Sequence, residues 1–377
     1  MNEQPASNRW ASVLAKVCVA LTLFLIFVGA IVTTAGAGMA APTAPHVDGT
    51  LINALSPVTN TAWWKFWEDP AFFKEHTHRL VAICLGTAVG ALTAFLWRNW
   101  TAFFIAMGVM GAAMGLRGIV AADTLAHLRV WPAMILFISL LIFGAKKRGV
   151  KPGTEQWMAL IAYVMACVQA LLGTLRVNLE TAGYLETATN LRVFHGVFAQ
   201  AFLALLVMLA ARLSPVWHEL RARAPHDYAR KFRSMAIGLL ALYFVQLAIA
   251  AYLRHRGLGL VIPTWPEAQQ SGGLWPAVWT HAVGLHFLHT RVLPIVIVGH
   301  VIGLAIILAK HSLVGRLSRV GWLLLALVHI QVLLGVLVVW KGRHAHLTNT
   351  HVVTGAFICA ATALLIARSR ALLPARA

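Results

Sequence analysis

Apolar runs long enough to cross a membrane recur along the whole chain, near residues 15–37, 76–97, 100–117, 130–145, 156–176, 193–212, 234–253, 286–309, 320–340 and 349–367. A hydrocarbon core about 30 Å thick takes about 20 apolar residues of helix. Inside it every backbone N–H and C=O must find a partner within the protein, which leaves only helices or a closed barrel. No alternating ten-residue barrel pattern is present. The sequence therefore specifies an all-α integral membrane protein of about ten spans. Only 11% of residues are charged, against about 25% in soluble domains.

The net charge of +19 is explained by topology. With the N-terminus in the cytoplasm, the inner segments collect most of the Lys and Arg, including the Lys146-Lys147-Arg148 run, as the positive-inside rule requires. No soluble domain carries a basic patch interleaved with aromatics, so nucleic acid is not an expected partner; membrane lipid is. Cys18, Cys84, Cys167 and Cys359 all lie within apolar runs and form no C-x-x-C, which argues against a disulfide framework or zinc site. The first run ends in a small-residue stretch resembling a signal-peptide site, and we read it as the first span. Two long outer segments, 38–75 and 254–285, carry Trp63, Trp64, Trp67, Phe72, Phe73, Trp265, Trp275 and Trp279. Such aromatics serve either the membrane interface or a lid over a ligand.

Internal repeats carry the functional information. Gln169-Ala-Leu-Leu-Gly173 recurs as Gln331-Val-Leu-Leu-Gly335, and each is followed by a helix with a histidine near its start, His195 and His351. Glu75-His-Thr-His78 likewise matches His286-Phe-Leu-His289. The chain reads as two tandem four-helix bundles related by duplication, residues 1–97 with 151–215 and residues 230–377. A hairpin over 98–150 is inserted in the first. Its Leu128-Arg-Val-Trp-Pro132 resembles Leu191-Arg-Val-Phe-His195, as a degenerate copy in which proline replaces the histidine.

Histidine is costly within a span and usually functional there. Four of them, His78, His195, His289 and His351, lie at matching depths near outer helix ends. Facing imidazoles in a helix bundle make a heme-iron site, so the pattern points to two sites; structural or proton-relay histidines are the alternative. Glu75 lies one turn before His78. It reads either as a general base or hydrogen-bond acceptor beside a ligand, or as an interfacial carboxylate paired with Arg79. His286 holds the matching position and offers no negative charge. Arg79, Arg176, Arg192 and Arg291 suit heme propionates or interfacial snorkelling. His300 and His329 read as packing or hydrogen-bonding residues. His76, His127, His344 and His346 read as solvated.

The Glu75-x-x-His78-Arg79 motif, the Gly29-Ala-Ile-Val-Thr-Thr-Ala-Gly-Ala-Gly38 run and the Gln-x-x-x-Gly repeats together resemble the heme A synthase family, over most of the chain outside about 98–150. That resemblance implies an oxidoreductase that converts the C8 methyl of heme O to a formyl group. It implies heme O as substrate between His78 and His195, Glu75 in catalysis, and a heme b between His289 and His351 that passes electrons. Arg79 and Arg291 follow as cofactor-binding residues. It further implies a bacterial cytoplasmic membrane, an unspecified electron acceptor, heme O synthase as a supplier of substrate, and an open question of homo-oligomerisation. Three features depart from the family: the inserted hairpin, Thr290 standing between His289 and Arg291, and the lack of the cysteine pair that some members carry in the first outer loop. A diheme electron-transfer cytochrome or heme carrier on the same frame is the second reading. A non-heme transporter is a third.

Overall fold

The computed structural model describes residues 6–40, 69–115, 130–223, 228–310 and 315–373. Trp63, Trp64, Trp67, His127 and the start of the Leu128 repeat lie outside the described residues. Helices account for the architecture, and no strand occurs among the described residues. In chain order they are α1 (Ala6–Thr34), α2 (Pro70–Leu96), α3 (Trp100–Gly115), α4 (Val130–Lys147), α5 (Thr154–Thr181), α6 (Leu185–Arg212), α7 (Pro215–Arg221), α8 (Ala229–His255) and α9 (His281–Phe287). A π-helical turn (Leu288–Val292) follows, then α10 (Leu293–Lys310), α11 (Gly315–Trp340) and α12 (Ala345–Ala371). Eight of the described segments are long and apolar enough to cross a membrane, α9, the π turn and α10 forming one of them. The protein is a multi-pass integral membrane protein. The two shorter apolar helices are α3, of 16 residues, and α4, of 18. They correspond to the third and fourth of the ten runs.

Packing divides the chain into two compact units, residues 1–191 and 192–377. In the first, α2 lies along α1 and α5, while α3 and α4 pair with each other and touch α2 and α5 respectively. A tight turn fixes this hairpin. Arg98 takes φ 51°, the Asn99 side chain caps α3 by accepting from Ala102 N at 3.1 Å, and its Nδ2 donates to Leu140 O at 3.1 Å. Arg148 Nη2 closes the far side on Trp97 O at 2.9 Å. An aromatic chain runs from Phe103 through Phe137 to Tyr163, with the Phe137 and Tyr163 ring centroids 4.8 Å apart. Pro132 sits in the first turn of α4, where its missing N–H removes no helix bond.

In the second unit α12 packs on α8 and α11, and α10 on α8 and α11. The crossing of α10 and α11 is close enough that a Cβ on Gly321 would run into Leu308. Threonine hydroxyls within spans are satisfied locally. Thr22, Thr93 and Thr362 each donate to the carbonyl four residues back, at 2.7, 2.8 and 2.8 Å. All four cysteines are free thiols.

Candidate functional site

In the first unit the site begins with a helix cap. Asp69 accepts from Ala71 N at 2.9 Å and Phe72 N at 3.1 Å, and Pro70 occupies the first helical position. So α2 starts earlier than its apolar pattern, and Glu75 and His78 stand in its second and third turns. Glu75 is 4% exposed and receives Arg79 Nη2 at 2.7 Å, an i,i+4 pair that needs a regular α-helix. His78 turns toward α1, where Gly29 leaves room for it: a Cβ there would lie 3.1 Å from Nε2. The charges of Arg79 and Arg176 both reach His78. Arg176 places both Nη atoms on Gly38 O at 3.0 Å and pairs with Glu180 at 3.0 Å, tying the end of α1 to α5. His76 departs from the sequence reading. It is buried, stacked on Phe72 at 5.7 Å, because the early start of α2 places it a full turn inside the helix.

His195 and Arg192 lie on α6 and belong to the second unit, where both are half-buried. His289 and His351 also lie in this unit and are near enough to feel each other's charge. His351 is accommodated by Gly335, whose Cβ would stand 3.2 Å from Cε1, and Gln331 Nε2 lies 3.2 Å from His351 Nε2. The Gln-x-x-x-Gly repeat thus has a physical meaning here: the glutamine reaches the imidazole and the glycine makes space for it. His289 stands in the π turn, and Gln246 Nε2 of α8 donates to its carbonyl at 2.8 Å.

The second unit treats the position matching Glu75 differently. His286 is 1% exposed, and its Nε2 meets Gly259 O at 3.1 Å, at the start of the loop between α8 and α9. Arg291 Nη2 donates to Thr264 O at 2.8 Å and Glu267 O at 2.7 Å, and Nη1 to Thr290 Oγ1 at 2.5 Å. Trp340 Nε1 donates to Trp265 O at 2.8 Å. Three pins therefore hold this loop. Trp265 is turned onto Trp340, whereas Trp275 and Trp279 rest on Phe287 and stay largely exposed.

Sequence reasoning missed several residues. Gln246 carries no motif. Arg254 and Arg343 also went unnoticed; they feel each other's charge, and that of Arg254 reaches His351. Gly259 packs on Arg343 as Gly38 packs on Arg176, each glycine four residues beyond its helix. The deeper histidines make backbone contacts, His300 Nε2 with Met235 O at 2.9 Å and His329 Nδ1 with Leu325 O at 2.8 Å. His344 and His346 are exposed.

These residues fit a heme. His289 and His351 each keep a buried Nδ1 without a hydrogen-bond partner, as does Arg291 at Nε. Buried polar atoms are rarely left so. Paired imidazoles with glycine-made space beside them, and arginines at the outer ends, match an iron porphyrin with carboxylate arms.

The chain is 30% identical over 157 residues to a heme A synthase of Sphingopyxis alaskensis, covering 39% of this chain and 42% of that protein. It is 33% identical over 88 residues to a heme A synthase of Rhizobium rhizogenes, covering 23% of this chain and 24% of that one. In both matches the chain spans less than half the length of its curated relative. The model of the cytochrome oxidase assembly protein family (COX15-CtaA) matches residues 1–130 and 129–363. With nearly its whole length matched, the chain belongs to that family.

Proposed function

We propose that this protein is a membrane heme A synthase, oxidising the C8 methyl of heme O to a formyl group in two successive oxidations. On the duplicated frame, His78 takes the substrate's iron in the first unit, and His289 and His351 hold a resident heme b in the second. When bound, that heme supplies one-electron transfer toward an external acceptor. The N-terminus lies in the cytoplasm of a bacterial cytoplasmic membrane, and heme O synthase hands over the substrate.

The observation that carries the reading is the unequal use of one repeated position. Glu75 is a buried carboxylate beside His78, held by Arg79. Its counterpart His286 is spent on a loop carbonyl. A chain that only conducts electrons has no need of a carboxylate on one side alone, which disfavours a diheme cytochrome. The Glu75–Arg79 pair aims the carboxylate along the face that carries His78, where it can accept a proton from the substrate side. Arg79 and Arg176 in the first unit, and Arg192, Arg254, Arg291 and Arg343 in the second, are the donors for propionates.

The test is the heme content of membranes carrying Glu75→Gln. That change keeps size but removes charge. Heme A should fall by at least about tenfold, in the range of a lost general base, while the second-unit heme spectrum stays. Full heme A formation by this variant would return the chain to the cytochrome reading.

A further inference from the structure

His289 stands in the only π-helical turn among the described residues, Leu288–Val292. Such a turn takes in one residue more than an α turn, and the repeat identifies it. His78-Arg79-Leu80-Val81-Ala82 of α2 matches His289-Arg291-Val292-Leu293-Pro294 once Thr290 is set aside. Pro294 stands where α2 has Ala82 and brings no N–H.

Together these changes leave the His289 carbonyl without a helix donor. In a regular helix His289 O accepts from Leu293 N, but that N–H goes to Leu288 O, five residues back. The next residue, Pro294, has no hydrogen to give. The donor comes from another helix, as Gln246 Nε2 at 2.8 Å. Gln246 Oε1 is buried and accepts nothing, so the donor end of the amide is the part in use. Thr290 Oγ1 secures the opposite side on His286 O at 2.7 Å. The inserted residue thereby separates two duties that adjacent residues perform in α2: His289 keeps its place near His351, and Arg291 turns to the loop.

We propose that Gln246 is a positioning residue for His289. By holding the carbonyl that the π turn and Pro294 leave over, it sets the angle at which the imidazole meets iron. The inference rests on the bis-histidine heme proposed above. Within a span no water replaces a lost donor, so the hold is specific to that side chain.

The experiment uses the purified full-length protein. Three readouts are taken: the low-spin electron paramagnetic resonance signal of the second-unit heme, its midpoint potential, and amide exchange across residues 286–295. Gln246→Leu should retain heme but shift or broaden the largest g value and move the potential. Exchange in the π turn should rise by about tenfold, the effect of one lost hydrogen bond. A second background removes Thr290 and carries Pro294→Ala, which restores the α ladder and gives His289 O a backbone donor. There Gln246→Leu should move none of the three. If the single variant fails to assemble, the same change in the straightened background should assemble normally. Equal effects or equal failure in both backgrounds, or no effect in the native one, overturns the proposal. A native protein without a low-spin signal refutes the heme reading instead, and amide exchange then still decides whether Gln246 holds the turn.

Discussion

Side chains at this site are placed as much by what is missing as by what is present. Gly335 and Gly29 sit where any Cβ would press on a histidine, 3.2 Å from His351 Cε1 and 3.1 Å from His78 Nε2. One methyl at such a distance forces the ring to move by a few tenths of an ångström, and a branched side chain forces it out of line. Gly335→Ala should therefore keep the second-unit heme at a cost of about 1–3 kcal/mol in stability. Gly335→Val should lose that heme and leave the helices formed. Heme per chain, measured by pyridine hemochrome beside circular dichroism, checks both. Full heme content in the valine variant would reduce the glycine to a packing role. The repeated Gln-x-x-x-Gly pattern was legible in the sequence, as were the four histidines and Glu75. Arg254 and Arg343 were not, because a polar residue near a helix end looks the same whether it meets lipid headgroups or a neighbouring helix; Gln246 was not, because a lone glutamine inside an apolar run carries no motif.

Helices were easier to find than their ends. The start of α2 was missed by several residues, although Asp69-Pro70 is a cap followed by a first-turn proline. The apolar pattern begins only later, since the first turns carry the polar residues of the site. The π turn left two traces in the sequence: Thr290, out of step with the repeat, and Pro294 four residues on. Neither alone predicts it, since an insertion can also be absorbed by a loop. The α3–α4 hairpin offers the test at this scale. It is fastened by Asn99, Arg148 and the Phe103–Phe137–Tyr163 contacts, and its proline stands where the repeat has a histidine. Deleting about residues 101–145 removes two spans, so the topology is kept. The uncovered faces of α2 and α5 are apolar and meet lipid without leaving backbone unsatisfied. The shortened protein should insert and show an unchanged second-unit heme spectrum. Loss of that spectrum would make the hairpin part of the heme-binding frame and end its reading as a degenerate copy.

For the molecule as a whole, the class of fold followed from the apolar runs alone, because lipid permits so few alternatives. Eight of the expected runs fold as long apolar helices, and the third and fourth as the shorter α3 and α4. The reading of a duplication rests on sequence through its histidines, and the two matching positions Glu75 and His286 make different contacts. What no sequence pattern conveyed was how the outer loop of the second unit is held. Its carbonyls at Gly259, Thr264, Trp265 and Glu267 are gripped by His286, Arg291 and Trp340. Two of those grips, His286 and Arg291, are made from the same helical segment that carries His289, so the loop cannot lift without disturbing it. Under the proposed function, a porphyrin seated beneath such a cover would be a permanent resident, whereas the substrate half would have to let its substrate arrive and its product depart. Mixing the purified protein with excess apomyoglobin should accordingly drain one heme in minutes and leave the other for hours. Trp340→Phe, which gives up one grip, should shorten the longer of those times by up to about tenfold. Permanence on one side and turnover on the other would then be written into the same repeated frame by a handful of backbone carbonyls.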